Sequence, residues 1–382
     1  MDLIYLDNNA TTRVAEGAVA AMQPFWRLQY GNPSSLHREG QAARHAIENA
    51  REQVADLIAA KPREIIFTSG GTESANLAIL GTLAAHPTKR HIVTTAVEHV
   101  AVLRLCERLV QQGFRVTFVG VDSQGHLDLA EFEQAIDDDT AIASVMYANN
   151  ETGVVFPIER VSQLAAARGV PLHVDAVQAV GKIAVEVKAL GVGLLTLSSH
   201  KMHGPKGVGA LYVGPRIRLR SQLVGGSQER GIRPGTENVA AIVGFGKAAE
   251  LAAASLLNCA AEVAALRDRL EAQLLQGVTF AHVIGDRSMR IANTTCIGFE
   301  RLSAEAILIL LSERGVSASS GSACSSGAME PSHVVAAMNV DQRIAHGAVR
   351  FSLSRETTEA EVDRAAAIVT GVVRRLASLG VP

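Results

Sequence analysis

What most constrains this chain is the alternation of short apolar runs with longer helical patterns through residues 65–213. Candidate strands lie at Ile65–Thr68, His91–Thr94, Arg115–Val119, Ala141–Tyr147, Pro171–Val174, Leu194–Leu197 and Ala210–Val213. Helical patterns fall between most of them, at Ser74–Ala85, Val100–Gln112, Leu129–Ile136 and Ile158–Arg168. Parallel strands need long crossovers, usually helices, so this spacing predicts an α/β fold with a largely parallel sheet. The last two runs are joined by a glycine-rich turn at Gly204–Gly209, a link short enough to predict one antiparallel member. Past Gly244 the texture changes. A long helical pattern runs to about Leu275, followed by a strand candidate at Thr294–Phe299 and a helix at Ala304–Arg314. A Ser/Gly loop at Ser319–Gly327, a strand at Val349–Leu353 and a helix at Thr358–Leu376 close the chain. That pattern reads as a smaller α+β domain. A chain of 382 residues exceeds one ordinary core. We expect a large domain over residues 15–255 and a small one built from residues 1–14 and 256–382.

Composition narrows the function classes. The 36 basic and 38 acidic residues leave a net charge of −2, which gives a polyanion no reason to bind. The cluster Arg216, Arg218 and Arg220 reads as a solvated face, so no nucleic-acid partner is expected. The four cysteines form no C-x-x-C pair, which favours a reducing compartment over a disulfide framework. Met1–Thr12 carries Asp2 and Asp7 and does not read as a signal peptide. The Ala-rich stretch Phe245–Leu270 is interrupted by Lys247, Glu250 and Glu262, so a soluble helix is expected rather than a membrane span. The reading is a cytoplasmic protein.

Five segments carry chemistry. Phe67–Asn76 (FTSGGTESAN) ends a strand, turns on two glycines and starts a helix near Thr72. Such a start is either an anion site, with Gly71 and Thr72 as donors, or a capped turn with no ligand. No G-x-x-x-x-G-K-[ST] or G-x-G-x-x-G occurs, which disfavours a nucleotide loop. In His173–Gln178, Asp175 ends a buried-looking strand. A carboxylate there is a helix N-cap or the partner of a buried cation such as a pyridinium nitrogen. In Leu197–Gly207, Lys201 follows an apolar strand, where a buried amine can form a Schiff base; a surface charge is the alternative. Ser198 and His200 flank it and could hold a phosphate. His200 and His203 lack a third ligand nearby, so no catalytic metal is expected. Cys324 sits in SSGSACSSG, either as a reactive thiol on an exposed loop or as an incidental cysteine. Cys106, Cys259 and Cys296 read as packing residues. Arg350 interrupts an apolar strand, as a carboxylate clamp or a structural ion pair.

Together these residues resemble the cysteine desulfurases of the class V aminotransferase family, in the group of NifS and IscS and nearest NifS. The segments YLDNNATT, GNPSSLH, TSGGTES, EH at 98–99, NNETG, DAVQAVGK, SSHKMHGPKG, RPGTEN, SSGSACSSG and VRFSLSR carry it across nearly the whole chain. The resemblance implies a dimeric enzyme of pyridoxal-phosphate (PLP) fold type I, aspartate aminotransferase-like, with Lys201 bonded to the coenzyme. It implies Asp175 on the pyridine nitrogen, Gln178 on the ring oxygen and His99 stacked on the ring and moving protons. Gly71, Thr72, Ser198 and His200 would hold the phosphate, with Thr236 reaching in from a second subunit. Asn150 and Arg350 would hold the carboxylate of L-cysteine. Cys324 would receive the sulfur as a persulfide while L-alanine leaves. An iron–sulfur scaffold or other acceptor protein would take that sulfur, and Cys324 could briefly contact a nascent cluster. SACSSG has Ser where many relatives have Thr, which keeps the hydroxyl. The RxGHHC context of the second desulfurase group is absent. The end at Pro382, without a longer tail, and HGAVRFSLSR lean towards the nitrogenase-associated type. The alternatives are a selenocysteine lyase, a class V aminotransferase, and a non-catalytic PLP-dependent scaffold for sulfur transfer.

Overall fold

The computed structural model describes residues 3–321 and 331–380. In chain order its strands are β1 (Ile4–Tyr5), β2 (Ile65–Thr68), β3 (His91–Thr95), β4 (Arg115–Val119), β5 (Thr140–Met146), β6 (Leu172–Asp175), β7 (Leu194–Ser198), β8 (Gly209–Val213), β9 (Ala281–Ile284), β10 (Thr294–Phe299), β11 (Val316–Ser317) and β12 (Ala348–Ser352). Seven of them form one sheet in the order β2-β8-β7-β6-β5-β3-β4. β8 is its antiparallel member, paired with β7 on one side and β2 on the other. The turn between β7 and β8 is too short for a crossover, as expected. β3, β5, β6 and β7 are buried along their whole length, which is why they read as continuous apolar or β-branched runs.

Helices cover both faces. Arg38–Leu57 and Val239–Gly277 pack against each other. Ala43, Ile47, Ala50 and Val54 recur every three or four residues and face inward. Gly246 allows the close approach, because a Cβ there would stand 2.6 Å from Ala50 Cα. The long helix contains one stretch, Val239–Leu256, apolar enough to span a membrane by length and composition, and half of it is buried inside the fold. The expected domain boundary at residues 255–256 falls within this helix. Arg216, Arg218 and Arg220 are exposed, as anticipated.

A second, three-stranded sheet has the order β12-β10-β9, and β1 pairs with β11 beside it. Its core of Phe299, Ile307, Leu311, Phe351 and Val369 is distinct from the cores flanking the large sheet. Residues 4–15 stitch the two halves together. β1 joins β11, and Asn8 N donates to Ser352 O at 3.1 Å. Thr12 N and Ala15 N then donate to the carbonyls of His200 and His203.

Candidate active site

The sequence-nominated residues of the large sheet converge at the carboxyl ends of its parallel strands, where open α/β sheets place ligands. Asp175 closes β6 and Ser198 closes β7. The helix Gly71–Ala85 starts after β2 and points its N-terminus to the same edge. Gly70 makes that turn at φ 153°, ψ −176°, a region only glycine occupies readily. A Cβ on Gly71 would lie 3.0 Å from Val177 Cγ2 and 3.7 Å from the Ser198 Cβ. The helix start therefore forms a cradle beside Ser198, with Thr72 exposed at its rim.

Asp175 is not a helix cap. Its Oδ1 accepts from Val177 N at 3.0 Å in a tight turn. Burial pushes its carboxyl up, against the pull of His99 and Lys201. His173, two residues earlier, lies between Ser144 and Thr196 at 2.8 Å each, and burial holds it at about 3, so it is a neutral structural group. His99 caps the helix Val100–Gln111, its Nδ1 accepting from Ala101 N at 3.2 Å. Burial holds His99 below the usual histidine range. His200 is pushed down to about 4, by burial first and then by Lys201, Lys206 and His99. Both imidazoles are thus uncharged near neutrality, able to donate one proton and accept another.

Lys201 stands on the short turn after β7. Its Nζ donates to the backbone carbonyls of Asn9 at 2.6 Å and Ala10 at 2.8 Å. The N-terminal segment therefore seats the amine, a role for which YLDNNATT gave no residue-level signal. Asn9 is a buried hub. Its Nδ2 donates to Thr294 Oγ1 at 2.8 Å and Asn150 O at 3.1 Å, and its Oδ1 accepts from Lys182 and Asn293. Gln178 lies beside it, Nε2 donating to Asn9 O at 2.9 Å. Sequence reasoning also missed Lys182. Its nearest signal was its place at the end of DAVQAVGK.

Arg350 shows the ion-pair alternative in part. It donates to Asp7 Oδ1 at 2.7 Å and Asn150 O at 2.9 Å, while its buried Nε finds no partner among the described residues. Asn150 enters these contacts through its backbone carbonyl. Thr236 is exposed in the segment between β8 and the long helix. Cys324 lies outside the described residues. The chain on either side of it converges on Glu151. A Cβ at Gly321 would collide with that carboxyl, and Ser332 Oγ donates to its Oε2 at 2.5 Å. His333 donates from Nε2 to Glu98 O at 2.8 Å, one residue from His99. Cys106 and Cys296 are buried and pushed up to about 12 by that burial, as packing thiols should be. Cys259 is half-buried on the long helix.

A carboxylate at a strand end, a lysine across from it, a neutral imidazole and a glycine-opened helix start define a site of the PLP-dependent transferase class. The family model for class-V aminotransferases matches residues 4–365, and the chain belongs to that family. A cysteine desulfurase of Trichormus variabilis is 53% identical over 379 residues, covering 99% of this chain and 95% of the relative. The cysteine desulfurase NifS of Azotobacter vinelandii is 51% identical over 374 residues, covering 98% and 93%. A solved NifS-like protein superposes with a TM-score of 0.93 at 39% identity, covering 98% of this chain and all of the other. The structure of SspA in complex with cysteine does so with a TM-score of 0.82 at 34% identity, covering 93% and 99%.

Proposed function

We propose that this chain is a cysteine desulfurase that takes sulfur from L-cysteine, releases L-alanine and passes the sulfur to an acceptor for iron–sulfur cluster assembly. The observation that carries the reading is the opposition of Lys201 to Asp175 at one sheet edge. The buried carboxylate there accepts from Val177 N, with the positive charge of Lys201 and the imidazole of His99 beside it. A protonated ring nitrogen would complete it, and the Gly71 cradle suits a phosphate, so the residues present fit PLP. Bound there, the coenzyme would act as an electron sink for charge developing on the substrate Cα.

The chain's own groups do the rest. Lys201 would hold the coenzyme and then take the α-proton, and the neutral His99 would exchange protons at the ring face. Gly71, Thr72, Ser198 and His200 would bind the phosphate, joined by Thr236 of a second copy, and Gln178 would donate to the ring oxygen. Arg350 and Asn150 would bind the substrate carboxylate, for which Arg350 must turn its guanidinium from Asp7 or use its open Nε. The thiolate of Cys324 would attack the substrate sulfur. An S–S bond forms as the C–S bond breaks, so cysteine and a thiol become alanine and a persulfide. A core of its own around Phe299, Phe351 and Val369 supports a small domain drawn from residues 1–14 and 256–382 beside a large one over residues 15–255, although Ile291, Val334 and Met338 pack into the large-sheet core. The similarity to NifS supports a nitrogenase-associated role in a cytoplasmic homodimer.

Cys324→Ala provides the test. It should abolish sulfide release from L-cysteine while leaving the coenzyme's absorbance band intact. Desulfuration retained in that variant would reject the role assigned to Cys324 and favour a lyase chemistry that needs no thiol. A wild-type protein that makes no alanine from cysteine would favour the scaffold reading.

A further inference from the structure

Two amines meet at Asn9. Its backbone carbonyl takes Lys201 Nζ at 2.6 Å and its side-chain Oδ1 takes Lys182 Nζ at 2.9 Å. Lys182 also donates to Gln178 Oε1 at 2.5 Å, while the other end of that carboxamide donates to the Asn9 carbonyl. Lys182, Gln178 and Asn9 thus close a ring of hydrogen bonds, which Lys201 joins at the Asn9 carbonyl. The side of Gln178 expected to face the coenzyme ring is tied at its back by an amine.

The charged groups that act on Lys182 are Lys201 and Arg350, the latter paired with Asp7, while Asp175, His99 and His200 face Lys201. Lys182 faces a half-open cleft shared with Lys201, His203, Arg355 and Cys259, and no carboxylate lines that cleft among the described residues. Arg350 contributes a further positive charge. Glu356 stands outside, 3.5 Å from His203 Nδ1. Burial, with Lys201 and Arg350 beside it, holds Lys182 well below the usual lysine range. Two ammonium groups this close repel, so proton binding at one weakens it at the other.

We propose that Lys182 is a positioning residue for the coenzyme lysine: by bracing Asn9 and Gln178 and by its like charge, it lowers the affinity of Lys201 for a proton. The bracing and the charge act with the same sign. An amine on Oε1 makes Gln178 Nε2 a stronger donor to the ring oxygen, which stabilises the unprotonated linkage. A positive neighbour does the same through space. The idea rests on the coenzyme reading above.

The test uses the full-length, coenzyme-loaded protein and its Lys182→Met and Lys182→Arg variants. The pH midpoint of the coenzyme absorbance band is read in each. Lys182→Met should move it up by about one pH unit, the scale of a like charge at close range. Lys182→Arg should return it towards the wild-type value. In coenzyme-free protein, the pH midpoint for acylation of Lys201, read by mass mapping against exposed Lys206, should rise in the same variant. A folded Lys182→Met protein with both midpoints unmoved, or Met and Arg variants that shift alike, overturns the assignment. Should Lys182→Met fail to fold, Lys182→Gln carries the same expected rise. Borohydride must first fix the coenzyme to Lys201 in the wild-type protein. Failure there overturns the coenzyme reading, whereas fixation with unmoved midpoints overturns the Lys182 role alone.

Discussion

Next to His99 in the chain lies a carboxyl that burial pushes well above the usual carboxylate range. Glu98 is fully buried, and burial pushes it up to about 8, although Thr95 Oγ1 and Met146 N both donate to its Oε1 at 2.8 Å. Its Oε2 is buried without a partner among the described residues, so an ionised form would have half its charge unsolvated, and the charge of Asp175 disfavours that form further. Between about pH 4.5 and 8 the folded protein holds this proton and the unfolded chain does not. Stability therefore falls as pH rises through that window. Glu98→Gln should flatten the fall. Melting temperatures near pH 5 and near pH 8 will differ less in the variant than in the wild type, and an equal difference would reject the assignment. The pair EH at 98–99 was visible in the sequence, but only the fold shows that the first residue is a buried acid and the second a helix cap.

At the scale of elements, the sequence was most legible where an apolar or β-branched run is bounded by turn residues. β2, β4 and β10 begin and end where their apolar runs do, and β3, β5, β6, β7, β8 and β12 differ from expectation by a residue at one or both ends. The two-residue strands β1 and β11 escaped notice, being too short for a period-2 pattern to register. The helix Arg38–Leu57 was also passed over, although Ala43, Ile47, Ala50 and Val54 mark its buried stripe. Alanine is a weak apolar marker, and the exposed face is heavily charged. That helix also anchors the segment carrying Thr236. Arg51 reaches from it to Glu229 with bonds of 2.7 and 2.8 Å, and Glu229 also accepts from Phe67 N at 2.8 Å. Both side chains are almost wholly buried. Arg51→Ala would leave that carboxylate without its counter-ion, at a cost of about 3–5 kcal/mol measured by urea unfolding. A loss under about 1 kcal/mol would show that water or Arg230 replaces it.

For the whole molecule, the residues that make the site come from distant parts of the chain, and no local pattern announces their meeting. Asn9 contacts Asn150, Gln178, Lys182, Lys201, Asn293 and Thr294, and so joins the large sheet to the small one. Nothing in NNATT distinguishes Asn9 from Asn8, because the signal lies wholly in its partners. Asn9→Ala would take the acceptor from Lys182 and Asn293 and the donor from Thr294 and Asn150, each buried group costing about 1–3 kcal/mol when left unmade. It should lower both the unfolding midpoint and the coenzyme retained through gel filtration. Retention at the wild-type level would limit Asn9 to a packing role.

The strap formed by residues 4–15 has a further bearing on how the molecule comes into being. This segment is made well before its partner, because Ser352, to which Asn8 and Asn9 bond, lies more than 340 positions downstream. Closing so long a loop is slow. A nascent chain can complete its seven-stranded sheet and still present an unseated Lys201, so competence to bind the coenzyme should arrive only after translation has passed β12.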